Sequence, residues 1–237
     1  MRSLILLLAF LPVAVFAQDT KSKSHRTCRV LVLGERGSVP ETLYLYDGAK
    51  AQQIELPRLN LSQPYAMPAG ALNLKVLAAP PAEGKPVDPA APAAAVGENI
   101  GAFYLLLTAD PANKAVPVRM QIIDASTERF KPGQMLWYNL TAVDVSGQVG
   151  KQQLAVKARS KVLLDPPAAG AQDYNVNLVY KHPTDGKNYP IFETHWIHDP
   201  AARTVLFVAA EEGSPIPRVM SFRDDPVPSG ADAGRNP

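Results

Sequence analysis

The strongest constraint on the fold is a repeat. Leu105-Leu106-Leu107-Thr108 is followed by Val116-Pro117-Val118-Arg119-Met120, and 100 residues on Val205-Leu206-Phe207-Val208 is followed by Ile216-Pro217-Arg218-Val219-Met220. A second echo sets Glu41-Thr-Leu-Tyr-Leu-Tyr-Asp47 against Gln134-Met-Leu-Trp-Tyr-Asn-Leu-Thr141, 93 residues apart. A period near 100 residues is the size of one small β-sandwich, so 237 residues leave room for two in tandem.

The local pattern agrees with an all-β chain. Leu43 and Leu45 alternate with Tyr44 and Tyr46; Leu72, Leu74 and Val76 alternate with Asn73 and Lys75; Val176, Leu178 and Tyr180 alternate with Asn175 and Asn177. Period two with one polar side marks a half-buried antiparallel strand. Turn signals at Asp47-Gly48, Pro132-Gly133, Ser146-Gly147 and Asp185-Gly186 separate the runs, and no window carries helical spacing behind a cap. Strands are expected at 27–33, 41–47, 52–59, 64–68, 71–78 and 102–109 in a first half. The strand at 117–124 begins a second half that continues through 134–142, 149–157, 160–164, 174–181, 190–197, 203–210 and 216–222. Seven strands per hundred residues predict two tandem immunoglobulin-like antiparallel sandwiches, at 27–114 and 115–223. The competing architecture is one larger β-sandwich. Prolines crowd between Pro80 and Pro92 among alanines, so 79–97 reads as a disordered loop, and 224–237 reads as a disordered tail.

The N-terminus reads as an export signal. Arg2 precedes an apolar run from Leu4 to Phe16, and Ala17 offers a small residue at the cut, which predicts a signal peptide over 1–17. Residues 18–26, with Lys21, Lys23 and Arg26, read as a basic tether. No later run is long enough to cross a bilayer as a helix. The single cysteine, Cys28, forms no intrachain disulfide, which favours a bacterial periplasmic or extracellular setting over a eukaryotic one. Beyond the signal, 220 residues carry 23 Lys+Arg against 22 Asp+Glu, a balance that argues against nucleic acid as a partner.

Candidate chemistry is sparse. Glu193-Thr-His195-Trp-Ile-His198-Asp199 gathers metal-type ligands, yet on a strand His195 and His198 point to opposite faces. The chain has no Gly-x-Ser-x-Gly segment, Cys28 lies in an apolar strand, and Asp224-Asp225 falls in the expected tail. Neither a catalytic set nor a cofactor or metal site is expected. Trp137, Tyr138, Tyr174, Tyr180 and Trp196 read as core aromatics rather than a sugar platform.

One stretch is similar to a known family. Leu136-Trp-Tyr-Asn-Leu140, then Gln153-Leu-Ala-Val-Lys-Ala-Arg-Ser-Lys-Val-Leu-Leu-Asp-Pro166, resembles the F1-to-G1 region of periplasmic pilus chaperones over about thirty residues. The resemblance implies that Lys161 and Arg29 hold a partner's terminal carboxylate. The expected role is therefore a non-catalytic, exported binding or structural protein of a bacterial envelope, with an envelope protein or glycan as partner. A pilus-type chaperone using Lys161, or a secreted hydrolase, are the alternatives.

Overall fold

A computed structural model describes residues 26–35 and 37–225. The expected signal peptide, the tether up to residue 25 and the tail beyond 225 lie outside the described residues. Among the described residues there are sixteen strands and no helix, so the chain is all-β. None of it is a helix long and apolar enough to cross a membrane.

The first eight strands are β1 (Arg26–Leu33), β2 (Leu43–Tyr46), β3 (Ala51–Ile54), β4 (Tyr65–Met67), β5 (Leu72–Leu77), β6 (Ala93–Val96), β7 (Ala102–Ala109) and β8 (Val118–Asp124). The next eight are β9 (Met135–Asn139), β10 (Val145–Val149), β11 (Gln152–Val156), β12 (Lys161–Leu164), β13 (Asp173–Lys181), β14 (Asn188–Ile197), β15 (Arg203–Glu211) and β16 (Ser214–Asp224). They form four four-stranded sheets, ordered β3-β2-β5-β6, β4-β1-β7-β8, β12-β9-β15-β16 and β11-β10-β13-β14. Adding eight to every strand number of the first half gives the second. β1 runs parallel to β7, as β9 does to β15; the other pairings are antiparallel.

The 100-residue echo is structural at the level of whole strands, because it sets the β7-β8 hairpin against β15-β16, but it inverts their faces. Leu105 and Leu107 pack inside the first half, whereas Val205 and Phe207 pack between the halves and Leu206 and Val208 take the inner place. The 93-residue echo is not structural: it sets β2 against β9, whereas topology makes β10 the counterpart of β2. The strand order also differs from an immunoglobulin constant-type sandwich, whose sheets run 1-2-5-4 and 3-6-7. Here they run 4-1-7-8 and 3-2-5-6.

Three apolar layers hold the four sheets. One lies inside the first half, around Val30, Leu45, Leu74 and Leu105. Another lies inside the second half, around Trp137, Leu154, Val176 and Leu206. The third joins the two inner sheets, through Leu31, Leu33, Tyr104, Leu106 and Ile123 from one half and Leu136, Tyr138, Val205, Phe207 and Phe222 from the other. Both faces of β1, β7, β9 and β15 are thus covered. That explains why Met135-Leu-Trp-Tyr-Asn139 and Phe103-Tyr-Leu-Leu-Leu107 are apolar on both sides instead of alternating. Each large side chain buried there adds about 2 kcal/mol.

Several expected boundaries move. Val118–Asp124, expected to open the second module at 115, completes the first half's inner sheet, because Val118 and Met120 pack into that half's core. The halves meet instead in the segment 125–134. Within the Pro/Ala stretch, Ala93–Val96 pairs with β5. Ahead of it, the Val76 amide donates to the Pro92 carbonyl and the Lys75 ammonium to that of Asp88. Arg26, expected in the tether, starts β1 and is buried: its guanidinium donates to the carbonyls of Gly70, Gly97, Glu98 and Ile100. Ser146-Gly147 is not a turn but the middle of β10. A Cβ on Gly147 would lie 1.9 Å from the Asn177 carbonyl oxygen, so glycine is there for close strand approach.

Candidate functional site

The inner sheets do not cover each other completely, and polar chemistry collects at the two lateral margins of their interface. One margin is closed by an ion cluster. Asp224, at the end of β16, is buried with a side chain 4% exposed. It pairs with Arg29 of β1 and Arg203 of β15. It also accepts a 2.5 Å hydrogen bond from the Tyr104 hydroxyl on β7. Arg29 donates further to the Ser62 carbonyl, and Arg203 to those of Ala125 and Phe130 while lying over the Phe130 ring. Burial, and then the Asp224 charge, push the Tyr104 phenol far above its ordinary range, so it stays a donor. The sequence assigns Asp224 to a solvated tail; instead it is the last residue of β16, on the side that Phe222 turns toward the first half.

At the other margin the edge strands β8 and β12 leave an open cleft of about 720 Å³. It exceeds an amide-lined hollow of about 480 Å³ around Gln148, Asn175, Asn177 and Glu193 on the outer sheet. Leu106, Ile122, Tyr138 and Leu140 give the cleft an apolar floor, and Arg119, Arg159 and Lys161 stand exposed around it. None of its lining residues is acidic. Arg119 has only a 3.5 Å contact with Asp110, and as a largely exposed pair this offsets little of its charge. The Lys161 ammonium sits 5.6 Å from the centre of the Tyr138 ring. Burial pushes the Tyr138 phenol up to about 12, so the floor stays uncharged at neutral pH. Arg159 has φ +53°, a left-handed kink that turns the chain into β12.

The two residues singled out by the chaperone resemblance are not brought together. Lys161 lines the open cleft; Arg29 lines a different one, at the opposite margin, and its charge faces Asp224. Lys161 instead shares its cleft with Arg119 and Arg159. The run Lys157-Ala-Arg-Ser-Lys161 was the available signal for Arg159, and Lys157 is drawn away to Asp144 at 2.8 Å.

The remaining candidates occupy separate places. His195 is exposed on β14, whereas His198 is buried against the Tyr174 ring, and burial lowers its pKa. Cys28 is fully buried, and desolvation raises its thiol pKa far above the ordinary value. Trp137 is fully buried and stacks on Trp196 at 6.1 Å, with Tyr174 edge-on to Trp196. Neither a protein-family model nor a curated protein matches the chain.

Proposed function

We propose that this is an exported, non-catalytic binding protein of a bacterial envelope, and that it holds an anionic ligand in the cleft between its halves. The observation that carries the reading is the grouping of Arg119, Arg159 and Lys161 over an apolar floor with no acidic residue lining the site. Clefts between units, mostly apolar with a few convergent polar groups, are the usual form of a ligand site. The opposite margin shows how this interface satisfies cations elsewhere, with a carboxylate between two arginines. The N-terminal pattern of Arg2, the apolar run to Phe16 and Ala17 supports export. A chaperone mechanism that uses Lys161 and Arg29 together finds no support in their placement.

Citrate is a suitable probe. Titration of the mature protein, followed by calorimetry, should give saturable binding that weakens with salt and falls at least tenfold in Arg159→Ala/Lys161→Ala, consistent with loss of charge-assisted contacts. Binding that is absent, or unchanged in the double variant, overturns the assignment of the cleft. Export is checked separately: the envelope fraction should yield a chain beginning at Gln18, and one that retains Met1 refutes it.

A further inference from the structure

The basic cleft has a free strand edge running along it, and the residues whose backbone groups are free there are the same ones whose side chains face the cleft. β12 pairs only with β9, opposing Lys161 to Tyr138, Val162 to Trp137, Leu163 to Leu136 and Leu164 to Met135. The Asn139 amide donates to the Ser160 carbonyl at 2.8 Å, which marks that pair as a hydrogen-bonded one. Antiparallel ladders alternate, so Val162 and Leu164 also bond to β9, while Lys161 and Leu163 turn their N–H and C=O outward. The same two residues place their side chains on the side facing the first half, as do Tyr138 and Leu136 beside them. Both are exposed, Leu163 at 40%. Across the opening stand Arg119 and Gln121 of β8, also exposed.

Resting on the reading of this cleft as an anion site, we propose that its occupant is an acidic, extended polypeptide segment that adds to β12 as a fifth strand of the sheet. Backbone groups of the segment pair with Lys161 and Leu163. Its side chains alternate, so one set faces the cleft, where acidic groups meet Arg119, Arg159 and Lys161. Apolar atoms of the same segment cover Leu163 and the floor around Tyr138 and Leu140. An isolated polar anion would leave the edge and these apolar groups in water. Charge complementarity and the open ladder therefore favour a peptide over a small anion or a glycan.

The test uses a blocked eight-residue peptide of alternating Glu and Val, the same peptide with alternate backbone amides methylated, citrate and dextran sulfate. The unmethylated peptide should bind at least tenfold more tightly than the methylated one, and the Lys161 and Leu163 amides should gain exchange protection. Leu163→Pro removes one outward donor and leaves the ladder to β9 and every charge in place. It should weaken the peptide at least tenfold and leave citrate unchanged. Equal binding of the two peptides overturns strand addition, and so does dextran sulfate binding without the peptide, which would mark a glycan site. Citrate bound without the peptide also overturns it but leaves the anion cleft standing; if no anion binds, both readings fall.

Discussion

Replacing Asp224 by alanine tests whether the buried ion cluster fixes the two halves to each other. The substitution removes the partner of two guanidiniums and of the Tyr104 hydroxyl at once. Breaking a buried pair from one side costs about 3–5 kcal/mol, because the remaining charge is stranded. The side chains of Arg29 and Arg203 are 19% and 16% exposed, so water reaches part of each and the lower end applies, about 3 kcal/mol. For a chain of this size that lowers Tm by about 6–12 °C. Asp124, at the end of β8, supplies a control: its ion-pair partner Arg129 is 66% exposed and it also accepts from the Ser126 amide, so Asp124→Ala should cost about 1–2 kcal/mol. Urea unfolding of both variants, followed by tryptophan fluorescence and far-UV circular dichroism, reads the difference. Equal small losses in the two would refute the claim that Asp224 locks the interface, and would leave the apolar layer as its sole fastening.

Three further outcomes follow from the same packing. His198 has a folded pKa lowered by burial, so the unfolded chain takes up a proton first as pH falls below about 6.5. Stability should fall through that window until the folded pKa is reached; His198→Gln should flatten the urea midpoint against pH, and an unaltered slope speaks against it. Gly147→Ala drives a Cβ into the Asn177 carbonyl and should cost at least about 3 kcal/mol, whereas Gly170→Ala, with open space around it, should be near neutral by thermal melting. A similar loss at both positions would show that β10 and β13 are not this close. Cys28 should react with a disulfide reagent on the order of a thousandfold more slowly in native than in unfolded protein, since its thiol is buried and protonated; fast labelling would mean that β1 opens readily.

Much of the sheet structure was legible in the sequence because side-chain periodicity reports burial. The alternation in Tyr174–Tyr180 and the two-sided apolar run at Met135–Asn139 identify an outer and an inner strand respectively. Strands that rest on backbone pairing were harder to see. Ala93–Val96 offers small side chains among prolines, and its ladder to β5 leaves no mark in composition. Gly147 resembled a turn because glycine serves close approach and left-handed kinks alike. The candidate site was half visible. Lys161 was singled out, but Arg119 reaches it only through the stacking of the halves, which no local pattern encodes. For Asp224 a signal did exist: the alternation through Met220 and Phe222, carried one step further, puts Asp224 in the strand and on its inward side.

The apolar layer between the inner sheets bears on how far either half can stand alone. One half cut from the other would present Leu31, Leu33, Tyr104, Leu106 and Ile123 on an open sheet, a surface prone to association in water. The halves are thus joined by more than the linking segment, and the same contacts hold both margins at a fixed spacing, one sealed around Asp224 and the other open beside Lys161.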